Sequence, residues 1–184
     1  YSASQDFHDQ GLEFKSKYHI ASSRHHRGWV PTSEVGEFEK DGDRHKVFYE
    51  SFDLSFEISA DDARAHKGYG LVGPNVWPDL ADFRSKVTHY YDSIYGLGRT
   101  LLSVFEHGLG MSPKTLLRNV TAPPSQLRLL KYFANDAPSD RLHHGIDAHS
   151  DFECFTILHA TQPGLQLLSA EDHWVETPPI ENCF

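Results

Sequence analysis

The chain is poor in cysteine. Cys154 and Cys183 are the two among its 184 residues, and they form neither a CxxC pair nor a disulfide framework. A reducing cytosol is the simplest compartment for such a sequence, so a cytoplasmic protein is expected. Apolar runs are short as well: none approaches the roughly 18 residues of a membrane-spanning helix. Tyr1 to Gln10 is polar and lacks the apolar stretch of a signal peptide, so none is expected there. Positive charge is scarce. Lys and Arg number 17 against 26 Asp and Glu, a formal net charge of −9, and the basic residues are scattered. That balance disfavours a nucleic-acid partner and an anionic membrane surface. HExxH is absent, which leaves a zincin-type hydrolase without support. No internal repeat or low-complexity segment stands out.

What is present suffices for a packed core. The apolar fraction is 39% and the aromatic fraction 12%. The length suits one domain, or one domain and part of another. Histidine is abundant at 13 residues. The pairs His25-His26 and His143-His144 lie beside Arg, Asp and Gly, and read as solvated loops rather than metal sites.

The period of the apolar residues changes along the chain. Phe7, Gly11, Phe14 and Tyr18 recur at helical spacing, which predicts a helix over 5–18 with Ser4 as its cap. Residues 20–78 are punctuated by Gly28, Pro31, Gly36, Gly42, Gly68, Gly70, Gly73, Pro74 and Pro78. Within them Val47 to Ile58 alternates loosely and predicts a short strand. After Trp77-Pro78, a stripe of Leu80, Phe83, Val87, Tyr90, Ile94, Leu97, Leu101 and Phe105 predicts a long helix. Asp79 can cap it, and Gly108 and Gly110 can end it. Ser112-Pro113 has the pattern that opens a further short helix. From Gln126 the period is two. Strands are predicted at 127–132, 155–158, 165–168 and 173–176, with a turn over 169–172. Short strands joined by turns suggest an antiparallel sandwich or jelly roll.

His149-Ser150-Asp151 carries the chemistry. Residues two apart on a strand point to one side, so an imidazole and a carboxylate can grip one metal together. A second histidine from a distant strand would complete a two-histidine, one-carboxylate face, leaving three iron positions open for oxygen chemistry. The bare pattern is weak. With 13 His and 15 Asp in 184 residues, about one His-x-Asp arises by chance, and one is found.

Context adds what spacing does not. The run from Gly145 to Phe152 holds His149 and Asp151. Phe155 to Leu158, Pro163 to Leu167, Trp174-Val175 and Pro178-Pro179 follow it in order. This block resembles the isopenicillin N synthase-like, 2-oxoglutarate-dependent Fe(II) oxygenases. A looser likeness covers Arg27-Gly28-Trp29, Asn75 to Pro78 and the Tyr132 strand, so it reaches nearly the whole chain. The resemblance implies that His149 and Asp151 bind Fe(II). It implies that Tyr132 points into the same cavity and hydrogen-bonds a carboxylate of 2-oxoglutarate or of the substrate. It implies an enzyme that oxidises a small organic substrate with O2 and releases succinate and CO2. The implied fold is α+β: a helical N-terminal portion, 1–124, packed on a double-stranded β-helix, or jelly roll. Residues 125–184 would be the first strands of that roll. Leu130, Tyr132, His149 and Asp151 are expected to face one cavity.

Two departures qualify the likeness. Many plant members have Asn two residues before the tyrosine, where this chain has Leu130, which makes no hydrogen bond. The family's distal histidine and Arg-x-Ser clamp lie roughly 50 to 70 residues past the Asp. This chain runs 33 residues past it (184 minus 151). His159 and His173 lie too near to be that ligand. The expectation is a fragment that is inactive alone. Two other readings stand beside it: an isopenicillin N synthase-type oxidase that uses iron and O2 without 2-oxoglutarate, and a non-catalytic, truncated jelly roll.

Overall fold

The computed structural model describes residues 1–32, 34, 49–67, 70–120, 125–134, 146, 148–151 and 154–184. His143-His144, Gly36, Gly42, Gly68, Val47 and the motif residues Gly145, Asp147 and Phe152 lie outside them. The chain forms two compact units, Tyr1–Ala148 and His149–Phe184. Helices and antiparallel sheets make up both the elements and their pairing.

The first unit begins with two short helices, not the one predicted over 5–18. Helix α1 spans Ser2–His8 and α2 spans Leu12–Ser16. Tyr1 stands at the N-cap of α1, and Ser4 lies inside the helix. Gly11 breaks the run: its backbone is extended, with φ −64° and ψ 158°. Glycine costs about 1 kcal/mol in a helix interior, so the break is cheap there. The bend still gathers the expected aromatic residues, with Phe7 and Phe14 each packing against Tyr18.

Three antiparallel strands follow in the order β1-β2-β3: Gly28–Val30, Tyr49–Ser55 and Gln126–Tyr132. Central β2 is buried along its whole length. Alternation gives it two different faces. Phe52 and Leu54 join Ala3, Phe7, Trp29, Phe83 and Val87 in the core. Tyr49, Ser51, Asp53 and Ser55 look the other way. Glu50 shares the core face, and it is buried. Its carboxylate meets His8 Nδ1 at 2.8 Å, Lys15 Nζ at 2.8 and 2.9 Å and Trp29 Nε1 at 2.9 Å. One side chain thus ties α1, α2 and β1 to the central strand.

The upstream motif residues are structural. Buried Arg27 donates to the carbonyls of His25, His26 and Leu71. Asn75 pairs with both backbone groups of Ser55, at 2.9 and 2.8 Å, as a neighbouring strand would. Gly28 has φ +117°, and a Cβ there would overlap the Tyr18 carbonyl oxygen, which accepts from Trp29 N at 2.7 Å. Gly28→Ala is therefore expected to cost about 1–3 kcal/mol, read as a lower urea midpoint at unchanged slope. An unchanged midpoint would contradict the conformation.

Helix α3 spans Phe83–Gly108. It starts after the predicted Asp79 cap. Asp82 holds the N-cap in a left-handed conformation, while the Asp79 amide donates to the Tyr18 hydroxyl. Phe83 and Val87 are buried as the stripe predicts, but further along it is Leu102 and Glu106 rather than Leu101 and Phe105. There the helix packs on the turn that follows it. The helix predicted at Ser112-Pro113 is a turn leading to a 3₁₀ segment, Leu117–Asn119. The Glu106 carboxylate accepts from the amides of Lys114, Leu116 and Leu117. Burial pushes its pKa up, and those three N–H groups outweigh it and hold the group below the usual glutamate value.

Among the described residues the second unit contains one antiparallel pair, β4 (Gln166–Leu168) and β5 (Trp174–Glu176). The predicted turn joins them. Ser169 N donates to His173 O at 2.8 Å, and Asp172 supplies a positive φ of 60°. The strand predicted at 155–158 is irregular. A strand needs a hydrogen-bonded neighbouring strand, and none of the described segments forms a ladder with this one. Among the described residues no helix is long and apolar enough to cross a membrane.

Candidate metal and carboxylate sites

His149 and Asp151 lie on irregular backbone at the start of the second unit, not on the strand predicted for them. Their side chains nonetheless converge. His149 Nε2 stands 3.4 Å from Asp151 Oδ1, and the two side chains are 51% and 45% exposed. The other carboxylate oxygen accepts a hydrogen bond from the Thr156 hydroxyl. One oxygen is thus occupied by Thr156 while the other faces the imidazole.

This donor pair fits two positions of an Fe(II) centre. Imidazole nitrogen and carboxylate oxygen are the donor types such iron takes. Atoms 3.4 Å apart can share one cation whose bonds are about 2.1 Å long. Among the described residues no group of three His, Cys, Asp or Glu converges on a common point. His159 packs its ring 5.2 Å from that of Phe184, and His173 belongs to the β4–β5 turn. Thr156 was missed as a site residue in the sequence. It stands inside the motif block but reads there as one residue of a strand.

Tyr132 belongs to the first unit, at the end of β3. It shares a face with Leu130, as parity requires, and with Arg128 and Gln126. The Tyr132 residue is 52% exposed, and its ring packs 5.2 Å from that of Tyr49. Partial burial pushes the phenol up, and the charge of Arg128 pulls it down by less. On the same face, on neighbouring β2 and opposite Arg128, lies Asp53, buried, with Arg128 bound through Nε at 3.1 Å and Nη2 at 2.9 Å. Asp53 and Arg128 escaped the sequence reading, although an aspartate amid the apolar alternation of β2 is a signal that a partner is needed.

Comparison with known proteins agrees with the resemblance. The family model described as the 2OG-Fe(II) oxygenase superfamily matches residues 124–184. The 2-oxoglutarate-dependent dioxygenase thnC of Trichoderma harzianum is 35% identical over 122 residues, 62% of this chain and 37% of that protein. The 2-oxoglutarate-dependent dioxygenase tropC of Talaromyces stipitatus is 30% identical over 197 aligned residues, covering 100% of this chain and 58% of the relative. This chain therefore spans less than two thirds of the relatives' length. A crystal structure of a 2OG-Fe(II) oxygenase family protein from Caulobacter crescentus superposes with a TM-score of 0.78. It is 25% identical, and the match covers 99% of this chain and 56% of that one. A full-length Neurospora crassa protein crystallised in complex with alpha-KG shares the fold, with a TM-score of 0.76 at 21% identity over 99% of this chain and 55% of that one. The matched segment, the relatives and the fold all point one way: residues 124–184 match the 2OG-Fe(II) oxygenase superfamily, and the chain as a whole is similar to proteins of that kind.

Proposed function

We propose that this protein is a non-haem Fe(II)- and 2-oxoglutarate-dependent oxygenase. It oxidises a small organic substrate with O2 and releases succinate and CO2. The observation that carries this is the His149–Asp151 pair, 3.4 Å apart within the segment the family model matches. His149 Nε2 and Asp151 Oδ1 would hold the metal. The Thr156 hydroxyl fixes the carboxylate so that Oδ1 stays turned to the imidazole. Tyr132 would offer its hydroxyl to a carboxylate of the cosubstrate or substrate. Iron with 2-oxoglutarate supplies the oxidising power for attack on an unactivated carbon, and the chain's part is to hold, orient and shield.

The finer architecture belongs to the same proposal. Residues 1–124 form the N-terminal portion that carries the helices, together with β1 and β2, which reach across the boundary to β3, and 125–184 form the first strands of a double-stranded jelly roll. The family match beginning at residue 124 and the antiparallel β4–β5 pair support that division. The proposed setting is the cytosol, with small-molecule partners and neither nucleic acid nor membrane.

One observation favours a second reading. Leu130 sits on the Tyr132 face, where a hydrogen-bonding side chain would help hold 2-oxoglutarate. An oxidase of the isopenicillin N synthase type needs no such group. The deciding measurement is O2 uptake by the full-length, iron-loaded protein with and without 2-oxoglutarate. Uptake that depends on 2-oxoglutarate and yields succinate is expected. Uptake with a thiol peptide alone would favour the oxidase, and failure to bind iron would leave the non-catalytic reading. The 184-residue chain by itself, with two converging donors among its described residues, is expected to hold Fe(II) weakly and form no succinate in the same assay.

A further inference from the structure

His25 is not the solvated loop residue that its neighbours in sequence suggest. Its imidazole lies against buried Gly73, so closely that a Cβ on that glycine would overlap the ring. Its Nδ1 is buried and has no hydrogen-bond partner. A neutral imidazole tolerates this by carrying its hydrogen on Nε2 and leaving Nδ1 a bare acceptor. An imidazolium does not, because both ring nitrogens are then donors. A buried N–H without an acceptor is costly.

The surroundings oppose the charge as well. The groups that act on the imidazole are Arg27, Arg24 and His26, each cationic or able to become so, with no carboxylate among them. The segment packed against the ring, 71–75, is Leu-Val-Gly-Pro-Asn and has no titratable side chain. Burial first, and then these neighbours, hold the imidazole below the usual histidine value.

That segment is a strap held at three points. Arg27 Nη2 donates to the Leu71 carbonyl at 2.7 Å, the His25 ring covers Gly73, and Asn75 exchanges bonds of 2.9 and 2.8 Å with the backbone of Ser55. The middle point is the one that can change its charge. Asn75 also lines a cavity of about 120 Å³ with Leu54, Val87 and Tyr91, between the end of β2 and α3.

We propose that His25 is the catch of an acid-sensitive latch: its neutral ring holds the strap 71–75 closed, and uptake of a proton releases the strap and opens the wall that Asn75 gives the cavity. The latch lies within the first unit and does not depend on the oxygenase reading. An open strap leaves the ring in water, where it takes up a proton near the ordinary 6.5, before the closed form does. Closure is therefore complete above about pH 6.5 and is lost as the pH falls below it.

The test is hydrogen exchange of the Gly73 and Ser55 amides in the full-length protein between about pH 7.5 and 5, corrected for the intrinsic pH dependence of exchange. The Ser55 amide reports on the strap because Asn75 Oδ1 is its acceptor. Amides of the β2–β3 ladder serve as the reference, since Glu50 and His8 give the unit an acid response of its own. Relative to that reference, opening of the strap is expected to rise by up to about tenfold per pH unit below 6.5, the limit for one proton. His25→Phe, whose ring takes no proton, should remove the rise. Arg24→Glu, at an exposed position, sets a carboxylate beside the imidazole and should shrink the rise several-fold. If His25→Phe does not fold, Arg24→Glu decides alone. A strap that exchanges in step with the ladder at every pH, or a rise that persists undiminished in these variants, would overturn the proposal.

Discussion

Asp151→Ala in the full-length protein is expected to lower Fe(II) affinity by more than about 100-fold and to abolish succinate formation. The carboxylate is one of the two donors that the second unit brings together, with Oδ1 turned to His149 Nε2. On the proposed assignment, deleting it would remove a charged ligand, so the metal would be lost rather than retuned. Thr156→Val is expected to act more gently. It leaves both donor atoms in place and removes the hydrogen bond that orients one of them. A fall of about 10- to 100-fold in metal affinity is the scale for such a supporting residue. Anaerobic equilibrium dialysis with Fe(II) reads both variants. If Asp151→Ala retains stoichiometric iron, the assignment of this pair as the metal centre is wrong.

Glu50→Ala is expected to be the most damaging substitution in the first unit, costing about 3–5 kcal/mol. Its carboxylate answers Lys15, His8 and Trp29 at once. Removing it strands a largely buried ammonium group and two buried N–H donors. The same cluster sets the response to acid. Burial pushes the Glu50 carboxyl up, but its bonds to Lys15, His8 and Trp29 prevail and hold it below the ordinary 4.5. Burial lowers His8 below the ordinary 6.5, more than Glu50 raises it. For both groups the unfolded chain takes up protons first as pH falls. Each contribution is therefore complete above its unfolded pKa and lost on acidification. His8 acts below about pH 6.5, and Glu50 joins below about 4.5. Urea midpoints of the wild type should fall steadily from pH 7 to pH 4. Stability that holds level over that range would show that the cluster is not linked to protonation.

Much of this organisation was legible where it is local. The β4–β5 hairpin was readable because a turn separates two short apolar runs. The β3 strand was readable because polar and apolar residues alternate from Gln126 to Leu129, and the exposure of its residues alternates along its whole length. Helix α3 announced itself by its stripe, but its last turns bury Leu102 and Glu106, because what packs there is a turn rather than the sheet. The break at Gly11 was hidden by periodicity: Phe7, Phe14 and Tyr18 converge whether or not the helix between them is continuous. Strand β1 is three residues long and has too few positions to show a period. Pairing is what sequence conveys least. The segment 155–158 alternates like a strand but forms no ladder with any described segment. Asp53 and Arg128 meet because β2 and β3 align across 75 positions of chain, which neither segment states by itself. The His149–Asp151 pair was found through its surrounding motif, and the strand geometry first used to justify it does not occur.

The central place of β2 bears on how the protein is made. One edge of this strand is closed by β1, synthesised shortly before it, but the other waits for β3, with Asp53 and Arg128 75 residues apart. While the ribosome is translating α3 and the turn beyond it, the nascent chain presents an unpaired strand edge that offers Phe52 and Leu54 on one side. Such an edge is a template for another copy as well as for β3. Closing so long a loop also slows refolding, since the entropy is lost before the strand contacts form. Yield in recombinant expression should therefore depend on temperature and chaperone supply during the interval between the two strands.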